Sequence, residues 1–237
     1  NQMRLRSNLS EWDQVVGGGL MPGSFVILTG DPGIGKSTLL LQVAAAIAKD
    51  HKVIYFSSEE SLTQVKQRAT RLNAALDKLY CSDVASLDTI VATALHEKPA
   101  VLIVDSIQNC YLSEQERTLP GGVAQLRHAG FLLMKLAKEQ NITIIVTGHI
   151  TKEGEMAGPK ILEHLVDAVF YLQGEDHWHV RILRAVKNRF GTINELGFFE
   201  MTPHGMETIA NINKHLLSQS THAPGSALTC SMEGTRP

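Results

Sequence analysis

The sequence predicts an α/β fold, with a mostly parallel central sheet flanked by helices and an antiparallel C-terminal extension. Three observations predict it. Continuous β-branched runs such as "VLIVD" and "ITIIVT" suit strands buried on both faces. Such runs alternate with helix-length segments, the pattern of a parallel sheet covered on both sides. The last two strand candidates follow each other with no helix between them, which calls for antiparallel pairing.

The elements are expected in this order. "SFVILTG" (24–30) is the first strong strand, and "KSTLLLQVAAAIAK" (36–49) is helical. "KVIYFS" (52–57) is a strand, and "ESLTQVKQRATRLNAAL" (60–76) a helix. "KLYCSDV" gives a short strand before the helix "SLDTIVATALHE". "AVLIVDS" (100–106) is a strand, and the polar loop "YLSEQERTLPGG" leads into the helix "GVAQLRHAGFLLMKLAKEQ". "ITIIVTGH" (142–149) is a strand, followed by the loop "TKEGEMAGPK" and the stretch "ILEHLVDAVFYLQG". "WHVRILRAVKNR" and "LGFFEMT" are the closing strands. Residues 1–217 read as one domain, and the composition shifts at 218–237, "SQSTHAPGSALTCSMEGTRP", to that of a linker.

Bulk properties bound the function. The 237 residues suffice for one large α/β domain with a buried core. A formal net charge of -2 supplies no general basic field, so any nucleic-acid binding must rest on local patches. Cys81, Cys110 and Cys230 are scattered, with neither a disulfide framework nor zinc-ligand spacing. A reducing, cytoplasmic setting is expected. No apolar run reaches the ~18 residues of a membrane span, and "NQMRLRSNLSEWD" lacks the apolar core of a signal peptide.

The strongest motif is "GDPGIGKS", which is Gly30, Asp31, Pro32, Gly33, Ile34, Gly35, Lys36 and Ser37. It matches GxxxxGK followed by Ser or Thr, directly after a strand and directly before a helix. Glycines let the loop curl so that successive N–H groups face one cavity. The following helix adds the positive end of its dipole. Lys36 can reach β- and γ-phosphates, the Ser37 hydroxyl can ligate Mg2+, and Thr38 falls near the α-phosphate. ATP with Mg2+ is the expected ligand pair.

Ligands of an open parallel sheet lie beyond the carboxyl ends of its strands. Asp105 ends "VLIVD" and suits an acid that orients Mg2+ through water; a helix N-cap would use the same residue type. Glu59 and Glu60 follow "VIYFSS". Glu59 comes first after the strand and suits the general base that activates water, and the other glutamate suits a helix cap. His149 ends "IIVTGH", where a γ-phosphate sensor or a structural histidine would fit equally. These parts define nucleoside triphosphate hydrolysis by positioning and charge stabilisation, and they leave one cation missing, the one that stabilises the transition state. Lys187 and Arg189 of "KNRFG" are candidates for it. Two residues apart in a strand, they share a face, with Phe190 anchoring the turn and Gly191 permitting the reversal. Charges that keep a strand edge soluble are the plain alternative.

These signals fit any RecA-like P-loop NTPase. The stretches "GGGLMPGSFVILTGDPGIGKSTLLLQ", "YFSSEES", "VDSIQN", "GHITKEGEMAGPKILEHLVDAVFYLQG" and "RILRAVKNRFGTINELGFFEM" narrow the field. Together they resemble the bacterial RadA (Sms) DNA repair and recombination ATPases over about residues 4–217. "TGH" stands where that family usually has "VGH", and "SSEES" where it has "SGEES". The family's plan adds a four-cysteine zinc finger, absent here, and a Lon-protease-like domain, to whose opening "GSALTCSMEGTRP" is similar. The resemblance implies an ATP-dependent, DnaB-like helicase that promotes branch migration as a homo-hexamer. It implies single-stranded DNA and recombination intermediates as partners, with RecA recombinase a further candidate.

In that family two loops contact DNA in the ring channel. They correspond to "SEQERTLPGGVAQLR", which offers Arg117 and Arg127, and "TKEGEMAGPK", which offers Lys152 and Lys160. Few cations per protomer suffice when a ring repeats them. Ordinary solvated loops would carry similar charges. The alternative function is a regulatory ATPase of the KaiC type acting on protein partners, against which "KNRFG" and the Lon-like start weigh. A small-molecule P-loop kinase would need a lid and an acceptor pocket, and neither has a sign in the sequence.

Overall fold

The structure, a computed structural model, describes residues 3–74, 77–112, 122–149, 162–175, 180–212 and 214. The elements are α1 (Ser10–Val15), β1 (Phe25–Gly30), α2 (Lys36–Ile47), β2 (Val53–Ser57), α3 (Leu62–Arg71) and β3 (Leu79–Ser82). They continue with α4 (Leu87–Glu97), β4 (Val101–Asp105), a 3-10 turn at Ile107–Asn109, α5 (Val123–Gln140) and β5 (Thr143–His149). The chain closes with β6 (Ala168–Glu175), β7 (Val180–Asn188), β8 (Leu196–Thr202) and β9 (Gly205–Thr208).

All nine strands form one sheet in the order β3-β2-β4-β5-β1-β6-β7-β8-β9. The first six in that order are parallel, and β7, β8 and β9 are added antiparallel. Both faces are apolar, as buried parallel strands require. One face packs Val26, Leu28, Tyr55 and Ile103 against α1, α2 and α3. The other packs Ile27, Phe56, Val104 and Val146 against α4 and α5.

Local chemistry sets the helix ends. Ser61 caps α3, and a reciprocal bond with Gln64 completes a capping box. Glu60, a cap candidate from the sequence, instead pairs with Arg68 inside that helix. Ser86 caps α4 through the Thr89 N–H. Asn141 ends α5 in the left-handed region, which Asn tolerates.

Three elements had no sequence assignment: the short helix α1, the strand β6 within "ILEHLVDAVFYLQG", and the edge strand β9. α1 lies on β8, where the buried Glu11 carboxylate accepts the Phe198 N–H at 2.9 Å. Gly197 allows this approach, since a Cβ there would sit 2.7 Å from the Glu11 carbonyl oxygen. Among the described residues, no helix is long and apolar enough to cross a membrane.

Candidate nucleotide site

The strand register brings the chemistry-bearing residues to one edge. Gly30 of β1 pairs with His149 of β5, and Ser57 of β2 with Asp105 of β4. The carboxyl ends of β1, β2, β4 and β5 therefore open onto one crevice. The loop Gly30–Gly35 crosses it and feeds straight into α2.

Asp31, Pro32 and Gly33 are exposed, Ile34, Gly35 and Ser37 are half-buried, and Lys36 and Thr38 are buried. Gly35 is the N-cap of α2, in the left-handed region at φ 111, and no side chain caps its amides. α3 and α4 both spend a serine on that task. Uncapped N–H donors at a helix start suit an anion, so the loop fits a triphosphate. Gly35 also lies under two methionine methyls. A Cβ there would come within 2.3 Å of Met206 Cε and 2.6 Å of Met201 Cε. The β8–β9 hairpin thus backs the loop, fastened to α2 by Gln42, whose side chain bonds both the N–H and the carbonyl of Met206. From β7, Arg181 Nε donates to the Ile34 carbonyl at 3.3 Å.

Lys36 folds over its own loop. Its Nζ donates to the carbonyls of Gly30 and Asp31, at 2.9 Å each. Burial pushes its pKa below the usual lysine value, and the charges of Asp105, Glu59 and Asp31 act in the opposite direction. A triphosphate would offer stronger acceptors than two carbonyls.

Asp105 is buried and held from both sides. Tyr55 Oη donates to Oδ2 at 2.5 Å, and Thr147 Oγ1 donates to Oδ1 at 2.6 Å. Tyr55 is fully buried, and burial followed by the Asp105 charge drives its pKa well up, so it stays a neutral donor. The carboxylate is fixed in orientation and keeps lone pairs for metal-bound water. Ser37 stands in the first turn of α2, and a hydroxyl with a carboxylate is an oxygen donor set that fits Mg2+.

Glu59 is exposed and accepts from Ser106 Oγ at 2.5 Å. The Ser58 hydroxyl bonds both the N–H and the carbonyl of Ser106, tying the end of β2 to the end of β4. Glu59 thus reaches into the crevice while Glu60 is engaged on α3. Tyr55, Thr147, Ser106 and Ser58 had no sequence signal. Tyr55 and Thr147 sit inside apolar runs, Ser58 in a serine pair and Ser106 directly after the acid, and only register identifies their roles.

Lys187 and Arg189 lie at the opposite edge. Asn188 of β7 pairs with Ala168 of β6, which pairs with Val26 of β1, four residues before Gly30. That separation is roughly 13 Å along the strand, before any of the loop is crossed. The two cations are therefore not near this chain's own phosphate loop.

Their orientation comes from a bulge. Phe170 pairs with Ala185 but Val169 pairs with Lys187, so Val186 is an extra, exposed residue. Without it, Lys187 would share a face with Leu183 and Ala185 and point into the core under α1 and α2. With it, Lys187 turns to the other face, where Nζ caps the carbonyls of Glu163 at 2.5 Å and Val166 at 2.8 Å. Arg189 lies just past the strand, its side chain 62% exposed and 3.5 Å from buried Asp167. Asp167 also accepts from Lys138 Nζ at 2.5 Å and from the Phe25 N–H at 2.9 Å. Asn188 points away toward the Val15 carbonyl, as alternation requires. Phe190 is half-buried and outside the core clusters, so it does not anchor the turn. Gly191 has no left-handed backbone; it matters because a Cβ would meet Asn188 Nδ2 at 2.9 Å and Gly17 Cα at 3.2 Å.

Arg127 is exposed on α5. Arg117, Lys152, Lys160, the side chain of His149 and the segment 218–237 lie outside the described residues.

Comparison with known proteins agrees with this architecture. A family model described as an AAA domain matches residues 3–155. The chain is 48% identical over 238 residues to DNA repair protein RadA of Listeria monocytogenes, covering 100% of this chain and 52% of that protein. It is 46% identical over 235 residues to DNA repair protein RadA of Pseudomonas aeruginosa, covering 99% of this chain and 52% of that protein. It thus spans about half the length of the curated relatives it matches. Among solved structures, a KaiC-like protein from Pyrococcus horikoshii superposes with a TM-score of 0.72 at 20% identity, covering 88% of this chain and 100% of that one. That likeness speaks to the fold. The chain belongs to the AAA-domain family.

Proposed function

We propose that this chain is the ATP-hydrolysing core of a DNA repair and recombination protein, with its hydrolysis site completed by a neighbouring copy. The observation that carries the reading is the position of Arg189: exposed, cationic, and on the edge of the sheet opposite the phosphate loop. It cannot serve its own nucleotide, and a head-to-tail ring would bring it to the next one.

In this reading the Gly30–Gly35 loop and the start of α2 hold the triphosphate, with Thr38 by the α-phosphate. Lys36 leaves the Gly30 and Asp31 carbonyls for the β- and γ-oxygens. Ser37 and Asp105 would hold Mg2+, Asp105 through water, and the ion when bound neutralises charge on the phosphate oxygens. Glu59, oriented by Ser106, takes a proton from the attacking water. His149 follows the γ-phosphate and passes its presence to the loop after β5. Arg189, with Lys187 beside it, stabilises charge in the neighbour's transition state.

The proposed substrate is single-stranded DNA, gripped through phosphates by Arg127 and by Arg117, Lys152 and Lys160. The work is DnaB-like unwinding and branch migration by a homo-hexamer, on recombination intermediates and alongside RecA recombinase. The names of the curated relatives, with identity across the whole chain, support the repair role. The test is ATP turnover of the full-length protein with and without single-stranded DNA. Stimulation that Arg189→Ala abolishes is the expected result. Turnover indifferent to DNA would favour a regulatory ATPase acting on proteins.

A further inference from the structure

The backbone that carries Arg189 is fastened at Phe190 by a residue 186 positions earlier in the chain. Arg4 sends one arm of its guanidinium to the Phe190 carbonyl at 2.6 Å and the other to the Gly19 carbonyl at 3.2 Å. Its own segment is pinned by a two-way bridge between Leu5 and Leu20, at 2.9 and 2.8 Å. The triple glycine Gly17-Gly18-Gly19 closes the other side. A Cβ on Gly17 would press on the Phe190 carbonyl oxygen at 3.1 Å and on Gly191 Cα at 3.4 Å. Asn188 adds an internal brace by accepting the Phe190 N–H at 3.0 Å.

We infer that Arg4 is a positioning residue for hydrolysis: it fixes the turn after β7 so that Arg189 is presented to the neighbouring copy. This rests on the reading of Arg189 as a trans-acting finger. The main chain on both sides of the finger is held, through the Asp167 carbonyl before it and Arg4 after it. Among the described residues the side chain has one long contact. Only the last bonds of Arg189 are left to move, which keeps the entropic cost of reaching a phosphate low. A fork is the right tool, because a guanidinium can bind two carbonyls in a fixed plane and an ammonium cannot.

The experiment uses the full-length protein and mixed assemblies. Arg4→Ala should lower kcat roughly tenfold, within the 10²-fold that a 1 Å misplacement can cost, with KM for ATP unchanged. Arg4→Lys, which keeps one donor group, should fall between the two and covers the case in which the alanine variant fails to fold. Either variant is then mixed with Lys36→Ala, which has an intact finger and a disabled phosphate loop. Turnover above the sum of the separate proteins supports the proposal, since the undamaged fingers would serve the undamaged loops. Turnover equal to the sum overturns it. Arg189→Ala mixed with Lys36→Ala separates the two ideas. If that pair is rescued and the Arg4 pair is not, only the role of Arg4 falls. If neither is rescued, the trans-acting finger falls and takes this proposal with it.

Discussion

Lys36 and Arg189 stand on opposite edges of one sheet and are held in opposite ways. Lys36 is buried, with two carbonyls at 2.9 Å and three carboxylates acting on its charge. Arg189 is mostly exposed, with one contact among the described residues, at 3.5 Å, on a main chain that is tied on both sides. The difference matches the two tasks proposed for them. A cation that binds the ground state gains from being preorganised in place. A cation needed only in the transition state, on a neighbour's substrate, gains from a fixed base and a free tip.

The largest expected effect tests this contrast directly. Arg189→Ala should cut turnover of the assembled protein by about 10³-fold, as loss of an arginine finger does, and leave nucleotide affinity unchanged. Lys36→Ala should lose both. Steady-state turnover beside equilibrium binding of a fluorescent ATP analogue separates the two. An Arg189→Ala protein with weakened binding would erase the contrast.

Within the motif the two cations should also separate. Lys187 caps two carbonyls of the segment before β6, so Lys187→Ala should cost about 1–2 kcal/mol of stability. Arg189→Ala, with its single long contact, should cost less than about 0.5 kcal/mol. Asp167→Asn should cost more than either, about 2–3 kcal/mol, because its buried carboxylate takes Lys138 and the Phe25 N–H as well. Urea midpoints of the three variants give the order. Equal losses at Lys187 and Arg189 would mean that the bulge at Val186 does not divide their roles.

How far these features were legible follows from how local they are. The phosphate loop is eight consecutive residues between a strand and a helix, so its spacing alone reveals it. Asp105 and Glu59 were legible as the first acids after apolar strands. The partners that orient them were not. Tyr55 reads as one more aromatic in "VIYFS", and only the pairing of β2 with β4 puts its hydroxyl on Asp105. The shared side of Lys187 and Arg189 was foreseen from strand alternation, but which face it is depends on one extra residue, and pattern does not mark a bulge. β9 is four residues long and is defined by a tight turn at Pro203-His204, too short for a periodic signal. Arg4 is the extreme case, with its partner 186 positions away.

Tyr55→Phe tests the buried edge at smaller cost. It removes one donor and leaves a carboxylate oxygen short of a partner, for about 1–3 kcal/mol of stability. Turnover should fall through kcat more than through KM if, as proposed, Asp105 orients metal-bound water. Full turnover with full stability would show that Thr147 alone holds the carboxylate.

The smallest effect concerns pH. Lys36 has its folded pKa depressed below 10.5 by burial. Well below the folded pKa both states carry the proton, and the folded state bears the cost of a buried charge. Between the folded pKa and 10.5 the unfolded chain binds more protons than the folded one. Stability of the nucleotide-free protein should therefore rise with pH through that window, and Lys36→Met should remove this part of the slope. Arg189→Ala should leave it unchanged, because Arg189 stands at the far end of the strands from Lys36. A bound triphosphate adds negative charge beside Lys36, raises its pKa and should flatten the slope again. Urea titrations of the native and Lys36→Met proteins, with and without ATP, measure it. If the slope survives in Lys36→Met, it belongs to other lysines, and the buried cation gives the apo site no strain for nucleotide to relieve.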